Sequence, residues 1–392
     1  MYVTRPLSHY LKNPDSLRTP PEGPNSGYLI IQDEESETSC CFGLCKNRSL
    51  LNLPFPQNKE LTLRYEQSSG DNTYVSVNPV FLIPVLNQAA SSNRYYAIKP
   101  HGKHKGEAYT CSREEDMSTC CFCRCIKDLK PRQLDPNNSY QQIEICPYEN
   151  LCTSSGSFFA KSVGPDGFPP YFLRRKGWSI YTKTPKHFKL DEALGLNSER
   201  RARLPEFNFP LSCKSSEAIS VGKWYCPFVF IKDGTLEDQL QRSTYYELTL
   251  EQRWEQIFTC KNEKNQGNSV LIDVPIENEE VFVNGNKAVW NENNVVDSVM
   301  WFKSFHNGVE TSIGLRMEII QRMKWEQNRS GWYDGENQQV RINRVEEFKE
   351  SWGWKEFGCY ALVERFVLKR MDGSLVMTYS FFHTHQLKCK WE

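Results

Sequence analysis

Glu34-Glu35-Ser36-Glu37-Thr38-Ser39-Cys40-Cys41-Phe42-Gly43-Leu44-Cys45 returns later in the chain as Glu114-Glu115-Asp116-Met117-Ser118-Thr119-Cys120-Cys121-Phe122-Cys123-Arg124-Cys125. The offset is a constant 80 residues, Cys40 to Cys120, and it also relates Pro56 to Pro136 and Asn58 to Asn138. An acidic run, hydroxyl residues and Cys-Cys-Phe-x-x-Cys recurring at one offset point to a β unit used twice. Residues 28–31 read as a short apolar strand, 34–37 as a polar turn and 38–45 as the returning strand. In the second copy, residues 108–111 are expected to pair back on 118–125. The thiols look like a metal site, but strand geometry argues otherwise. Cys41 and Cys45 would share a face, as would Cys121, Cys123 and Cys125, with neighbours about 6.6–7 Å apart. Thiolates on one zinc must approach within about 4 Å. No metal is therefore assigned, and no apolar or basic anchor flanks the cluster to favour S-acylation. The cysteines are expected to be small buried hydrophobes in a β core.

Outward from the repeat, the chain is too long for one ordinary core, at 392 residues. Apolar residues at 39 % and aromatics at 13 % suffice for burial. The 48 basic and 48 acidic residues balance, so no net field favours nucleic acid or an anionic membrane. No run approaches the ~20 apolar residues of a membrane span. The opening Met1-Tyr2-Val3-Thr4-Arg5-Pro6 lacks the apolar core of a secretory signal. Fifteen cysteines without such a signal imply free thiols in a reducing, cytoplasmic setting. The sequons at Asn47, Asn137 and Asn328 then have no consequence.

Composition suggests four segments. Residues 1–26 carry five prolines and read as an extended arm; 27–152 form a Cys-rich β domain with ten of the fifteen cysteines; 153–220 connect, with a short helix at 190–196; 221–392 form a Trp-rich β domain. In the last, Asn284-Gly285, Asn307-Gly308 and Asp372-Gly373 separate apolar runs, and each reads as a type I′ hairpin turn. Residues 299–305 and 312–323 are the expected strands around the second of these turns. Thr249-Leu250-Glu251-Gln252 resembles a capping box, with Leu250, Trp254, Ile257 and Phe258 as the stripe of a helix. A faint echo of residues 76–96 in 220–246 hints at two diverged copies of one β unit. The expected fold is mainly β, two antiparallel β-sheet domains, sandwich- or barrel-like, with a few short helices.

Two groups of residues could carry chemistry. His383 and His385 share a strand face with Leu375, Met377, Phe381 and Leu387, and two imidazoles on an apolar face could act as an acid–base pair. Satisfied core histidines are the commoner outcome. Trp332, Tyr333, Trp352 and Trp354 sit beside glycines outside clear strands, where large rings either stack on ligands or cap a sandwich. His101 and His104 lie in a basic turn and read as a solvated loop. No dinucleotide fingerprint, phosphate loop, nucleophile elbow or zinc-protease motif occurs, so no cofactor is assigned.

The opening Met1–Ser8 run, residues 20–29, the Cys-Cys-Phe-x-x-Cys copies, Leu53-Pro54-Phe55-Pro56-Gln57-Asn58 and Val221-Gly222-Lys223-Trp224-Tyr225-Cys226-Pro227-Phe228 resemble the plant family catalogued as domain of unknown function 1262. The resemblance spans essentially the whole chain. It implies an intracellular plant protein of stress or defence responses, and some members carry an insecticidal-crystal-toxin label. It implies no catalytic residues. The expected role is thus binding of a small molecule or protein partner, with a cofactor-independent isomerase or cyclase using His383 or His385 as the alternative.

Overall fold

In the computed structural model, residues 1–37, 39–40, 45–120, 123–149, 156–263, 267–290, 295–332, 339–350 and 353–392 are described. The protein is mainly β, built from antiparallel sheets with few short helices. Two compact units are present. The first comprises residues 1–192, 227–229 and 235–245; the second comprises 193–226, 230–234 and 246–392.

The first unit opens with β1 (Tyr2–Pro6), paired in parallel with β2 (Gly27–Ile31). Residues 1–26, expected as an arm, are therefore anchored: Met1 and Tyr2 are buried, and the Tyr2 hydroxyl donates to the Pro84 carbonyl at 2.9 Å. The main sheet holds β3 (Glu60–Ser69), β4 (Asn72–Pro84), β5 (Arg94–Ile98), β6 (Gln142–Pro147), β7 (Phe158–Ser162) and β8 (Ser179–Lys183). Their order is β7-β6-β5-β4-β3-β8, with Ser49–Leu50 on the edge of β8. Leu61 and Leu63 alternate with solvent-side Thr62 and Arg64, the period-2 pattern of a half-buried strand. Phe55, Phe158, Trp178 and Ile180 anchor the core on that face.

Each copy of the Cys repeat begins with a 3-10 turn, Glu34–Ser36 or Glu114–Asp116. It continues as a small hairpin: Ser39–Cys40 pairs with Cys45–Lys46, and Ser118–Cys120 with Cys123–Cys125. This corrects the expected single returning strand. Ser118–Cys120 pairs with Cys123–Cys125 and does not pair back on residues 108–111; Ala108 bridges Ile98 and Arg132 instead. Of the spacings drawn for a straight strand, only that of Cys123 and Cys125 falls within one strand, and Cys41, Cys121 and Phe122 lie outside the described residues. Cys125 is exposed while Cys111 is buried, so the thiols do not uniformly face inward.

The second unit is organised around β9 (Ile219–Pro227), β10 (Tyr245–Lys261), β11 (Ser269–Glu277), β12 (Glu279–Val283), β13 (Asn286–Val289), β14 (Val299–His306), β15 (Val309–Arg316), β16 (Gln339–Glu347), β17 (Glu356–Arg370) and β18 (Leu375–Trp391). The sheet runs β15-β14-β13-β12-β18-β17-β10-β9, with Ile231–Asp233 beyond β15; β11 and β16 form a separate ribbon. Three expectations fail here. Residues 249–258 are not a helix but the middle of β10, hydrogen-bonded along its length to β17. Leu248, Leu250, Gln252 and Trp254 are buried while the residues between them are not. Positions 250 and 254 fit both periods, and pairing with a fifteen-residue neighbour decided the outcome. Ile257 fitted a helical stripe only because a bulge between Gln256 and Phe258 shifts the phase of the strand. Second, the strand expected at 312–323 ends at Arg316, and Met317–Asn328 is a helix, α2, burying Ile319, Ile320, Met323 and Gln327. Third, residues 190–194 are not helical; the short helix, α1, is Ser198–Ala202, whose Asn197 side chain accepts from the Arg200 N–H at 2.9 Å.

Two of the three hairpin turns follow the type I′ pattern, with positive φ at Asn284 and Gly285 and at Asn307 and Gly308. At the third, only Gly373 has positive φ. The Gly373 N–H donates to the Arg370 carbonyl, and the Arg370 N–H to the Ser374 carbonyl, which is a type I turn closed by a glycine bulge.

Candidate functional site

The chemistry-bearing residues of the second unit converge where α1, β10, β17, β18 and the end of α2 meet. Period-2 alternation directs Glu364 on β17, Gln252 on β10 and His383 on β18 inward, and all three are essentially fully buried. The capped turn of α1 brings Arg201 onto them. Arg201 Nε donates to Glu364 Oε1 at 2.8 Å, and its Nη2 to Oε2, a bidentate ion pair. The same Nη2 reaches the Glu326 carbonyl at 3.0 Å and Ser330 Oγ at 2.7 Å. Gln252 Nε2 donates to Glu364 Oε1 at 2.7 Å, leaving Gln252 Oε1 buried with no donor. Deeper on α2, Arg322 Nη2 donates to Glu326 Oε1 at 2.5 Å.

His383 closes the network from behind. Its Nε2 lies 3.0 Å from Gln327 Oε1 and 3.8 Å from Glu364 Oε2. The other ring nitrogen, Nδ1, is buried with no hydrogen-bond partner in reach. Burial pushes the imidazole down to about 4; the Glu364 carboxylate opposes that, while His385 and Arg201 add to it. Burial alone would push the Glu364 carboxyl up, but Arg201, His383 and Gln252 overcome it and hold it below the ordinary carboxylate range. At neutral pH the site therefore holds a charged Arg201–Glu364 pair beside a neutral histidine.

A polar concavity of about 390 Å³ lies over this pair. Arg201, Glu364, Gln252, Arg329, Ser330 and Gln386 supply its polar lining, and Leu196, Leu204 and Leu362 its apolar part. Gln386 reaches it because β18 bulges. Ala361 is opposite Leu387 and Leu362 is opposite His383, so Thr384, His385 and Gln386 have no counterpart on β17. Bulges of this kind re-aim side chains, and here the bulge swings Gln386 to the concavity. The two expected histidines differ in exposure: His383 is buried and His385 exposed, their rings meet edge to face at 5.5 Å, and neither lines the concavity.

The aromatic residues fall elsewhere. Trp332 is buried edge-on against Phe381 at 5.0 Å. Trp354 is buried among Val270, Phe357 and Trp391, with its Nε1 donating to the Gly267 carbonyl at 3.2 Å. Tyr333 and Trp352 lie outside the described residues. His104 stays in its surface turn, its Nδ1 2.8 Å from Glu107. Arg201, Glu364 and Gln252 were missed from the sequence. A Gln and a Glu at inward positions of apolar strands were the available signal, and reading residues 249–258 as a helix concealed the first. Among the described residues, no three His, Cys, Asp or Glu side chains converge as metal ligands, and no helix is long and apolar enough to cross a membrane.

Residues 22–122 match the family model described as "Protein of unknown function (DUF1262)". The DUF1262 match contains the first Cys copy and most of the second, but no residue of the concavity. It covers about a quarter of the chain, less than the sequence resemblance suggested. No curated protein matches. The solved structure "Crystal structure of Cry35Ab1" aligns with TM-score 0.47 and 12 % identity over 86 % of this chain and 90 % of that one, a likeness too distant to carry an argument about activity.

Proposed function

We propose that this is a non-enzymatic binding protein whose second unit takes a small, hydroxyl-bearing polar ligand in the concavity over Arg201 and Glu364. One observation carries the reading: Gln252, almost completely buried at the floor, has a carbonyl oxygen with no donor. A buried unmatched acceptor costs about 1–3 kcal/mol, which a ligand hydroxyl would recover. Ser330 and Gln386 add hydrogen-bonding groups, and the partly exposed Arg329 adds a cation suited to a carboxylate. Sugar acids and small hydroxy acids combine both features. Membership of the whole chain in the DUF1262 family, and a cytoplasmic plant protein of stress or defence responses, belong to the same proposal and rest on the sequence resemblance. The alternative, an isomerase or cyclase acting through His383 and His385, has less support. An imidazole held near 4 is a weak base at neutral pH, and Glu364 stands between His383 and the concavity.

The test is saturation-transfer NMR on the full chain with a mixture of sugars, sugar acids and hydroxy acids. Wild type is expected to show transfer to a subset, lost in Gln386→Trp, which fills the concavity, and weakened in Gln386→Ala, which removes one hydrogen-bonding group. Transfer that survives Gln386→Trp unchanged would remove the site from consideration. For the enzyme alternative, metabolite profiles of a silenced plant rescued with wild type or His383→Ala decide; identical profiles would sink it.

A further inference from the structure

We propose that Cys359 on β17 and Cys389 on β18 are a thiol–disulfide site, closing to a reversible cross-strand disulfide under peroxide. The two residues are direct partners in antiparallel register, flanked by the regular pairs Gly358 with Lys390 and Tyr360 with Lys388. Directly opposed residues have Cα atoms about 4.5 or 5.5 Å apart, according to which ladder position they occupy. Both values lie inside the roughly 4.4–6.8 Å that a disulfide spans, so the register suits closure. The two thiols interact directly. The Cys389 thiol donates a hydrogen bond to the Cys359 sulfur, which favours the thiolate at Cys359 and disfavours it at Cys389. Arg344 also favours the Cys359 thiolate, Glu346 opposes it, and the Tyr360 N–H helps to hold it.

Access differs between the two. Cys359 is buried in the cluster with Val270, Ile272, Trp354 and Phe357, whereas Cys389 is only partly buried. Peroxide therefore arrives at the Cys389 side. Cys260 packs against the same cluster, but its cross-strand partner is Phe357, so it does not compete in register.

The chemistry balances with hydrogen peroxide as oxidant. One sulfur of the pair attacks the peroxide; the O–O bond breaks, a sulfenic acid forms and one water leaves. The other sulfur attacks the sulfenic sulfur, the S–S bond forms, the S–O bond breaks, and the departing hydroxide takes the remaining thiol proton as a second water. Two thiols and one peroxide give one disulfide and two waters. A dithiol reductant reverses the change by exchange. No residue lining the concavity takes part, so this site stands apart from the ligand proposal.

The test uses the reduced full chain, treated with stoichiometric hydrogen peroxide, blocked with N-ethylmaleimide under denaturing conditions, digested and analysed by mass spectrometry. The expected product is a peptide containing Cys359 joined to one containing Cys389, with both cysteines lost from labelling together and both restored by dithiothreitol. The melting temperature should rise on oxidation in wild type and stay unchanged in Cys389→Ser and in Cys389→Ala, two variants that guard against a folding defect in either. The proposal is overturned if both cysteines remain labelled after peroxide, if Cys389 is recovered as sulfinic or sulfonic acid beside a labelled Cys359, or if Cys389 is joined to a different cysteine.

Discussion

Replacing Glu364 by Gln tests the energetic centre of the site. The substitution keeps the volume but removes the charge that Arg201 grips with two parallel hydrogen bonds, where the Glu364 side chain is almost fully buried and that of Arg201 is about 10 % exposed. A guanidinium left buried beside a neutral amide costs about 3–5 kcal/mol, because the desolvation of Arg201 is no longer offset. Glu326 and Ser330 keep some hold on Arg201, which places the expected loss at the lower end of that range. Urea denaturation followed by tryptophan fluorescence reads the right part of the molecule. Nine of the ten tryptophans belong to the second unit; Trp178 alone lies in the first. The midpoint should fall with no change in slope. The double variant Arg201→Met/Glu364→Leu should recover most of the loss, since an apolar pair of similar volume is often as stable as a buried ion pair. A loss below about 1 kcal/mol for Glu364→Gln would refute the reasoning, for it would mean that solvent reaches the pair and screens it.

Other outcomes follow from the same structure. His383 titrates at about 4 when folded and at 6.5 when unfolded, so the unfolded chain takes up the proton first and stability falls as pH drops from about 6.5 to 4. That difference is worth about 3 kcal/mol, and His383→Gln should flatten this part of a pH–stability profile; the depressed Glu364 carboxyl adds a further loss at lower pH. Gly285→Ala places a side chain at φ +81 and should cost about 1 kcal/mol in the same urea assay. In the first unit, Trp178→Ala should cost about 3–5 kcal/mol, measured by calorimetry or by tyrosine-region dichroism, because the ring is fully buried and its Nε1–H donates to the Leu173 carbonyl.

The parts of the fold that could be read from the chain are those fixed by local chemistry. Asn-Gly at 284 and 307 forces hairpins because two successive positive φ values exclude most residues, and Leu61-Thr62-Leu63-Arg64 alternates as a half-buried strand must. What escaped depends on partners far along the chain. Residues 249–258 carry a plausible helix signature, and only the long ladder with β17 overrides it. The bulge at Thr384–Gln386 has no local marker, yet it delivers Gln386 to the concavity. Arg201 illustrates the same limit, since its partners Glu326, Ser330 and Glu364 lie more than a hundred residues away.

A crystal structure of the protein soaked with the sugar acid or hydroxy acid that gives the strongest saturation transfer tests the central claim most directly. The account predicts the ligand over the Arg201–Glu364 pair, with a hydroxyl donating to Gln252 Oε1 and contacts to Ser330 and Gln386. A ligand bound elsewhere on the chain, with Gln252 Oε1 satisfied by solvent, would contradict it.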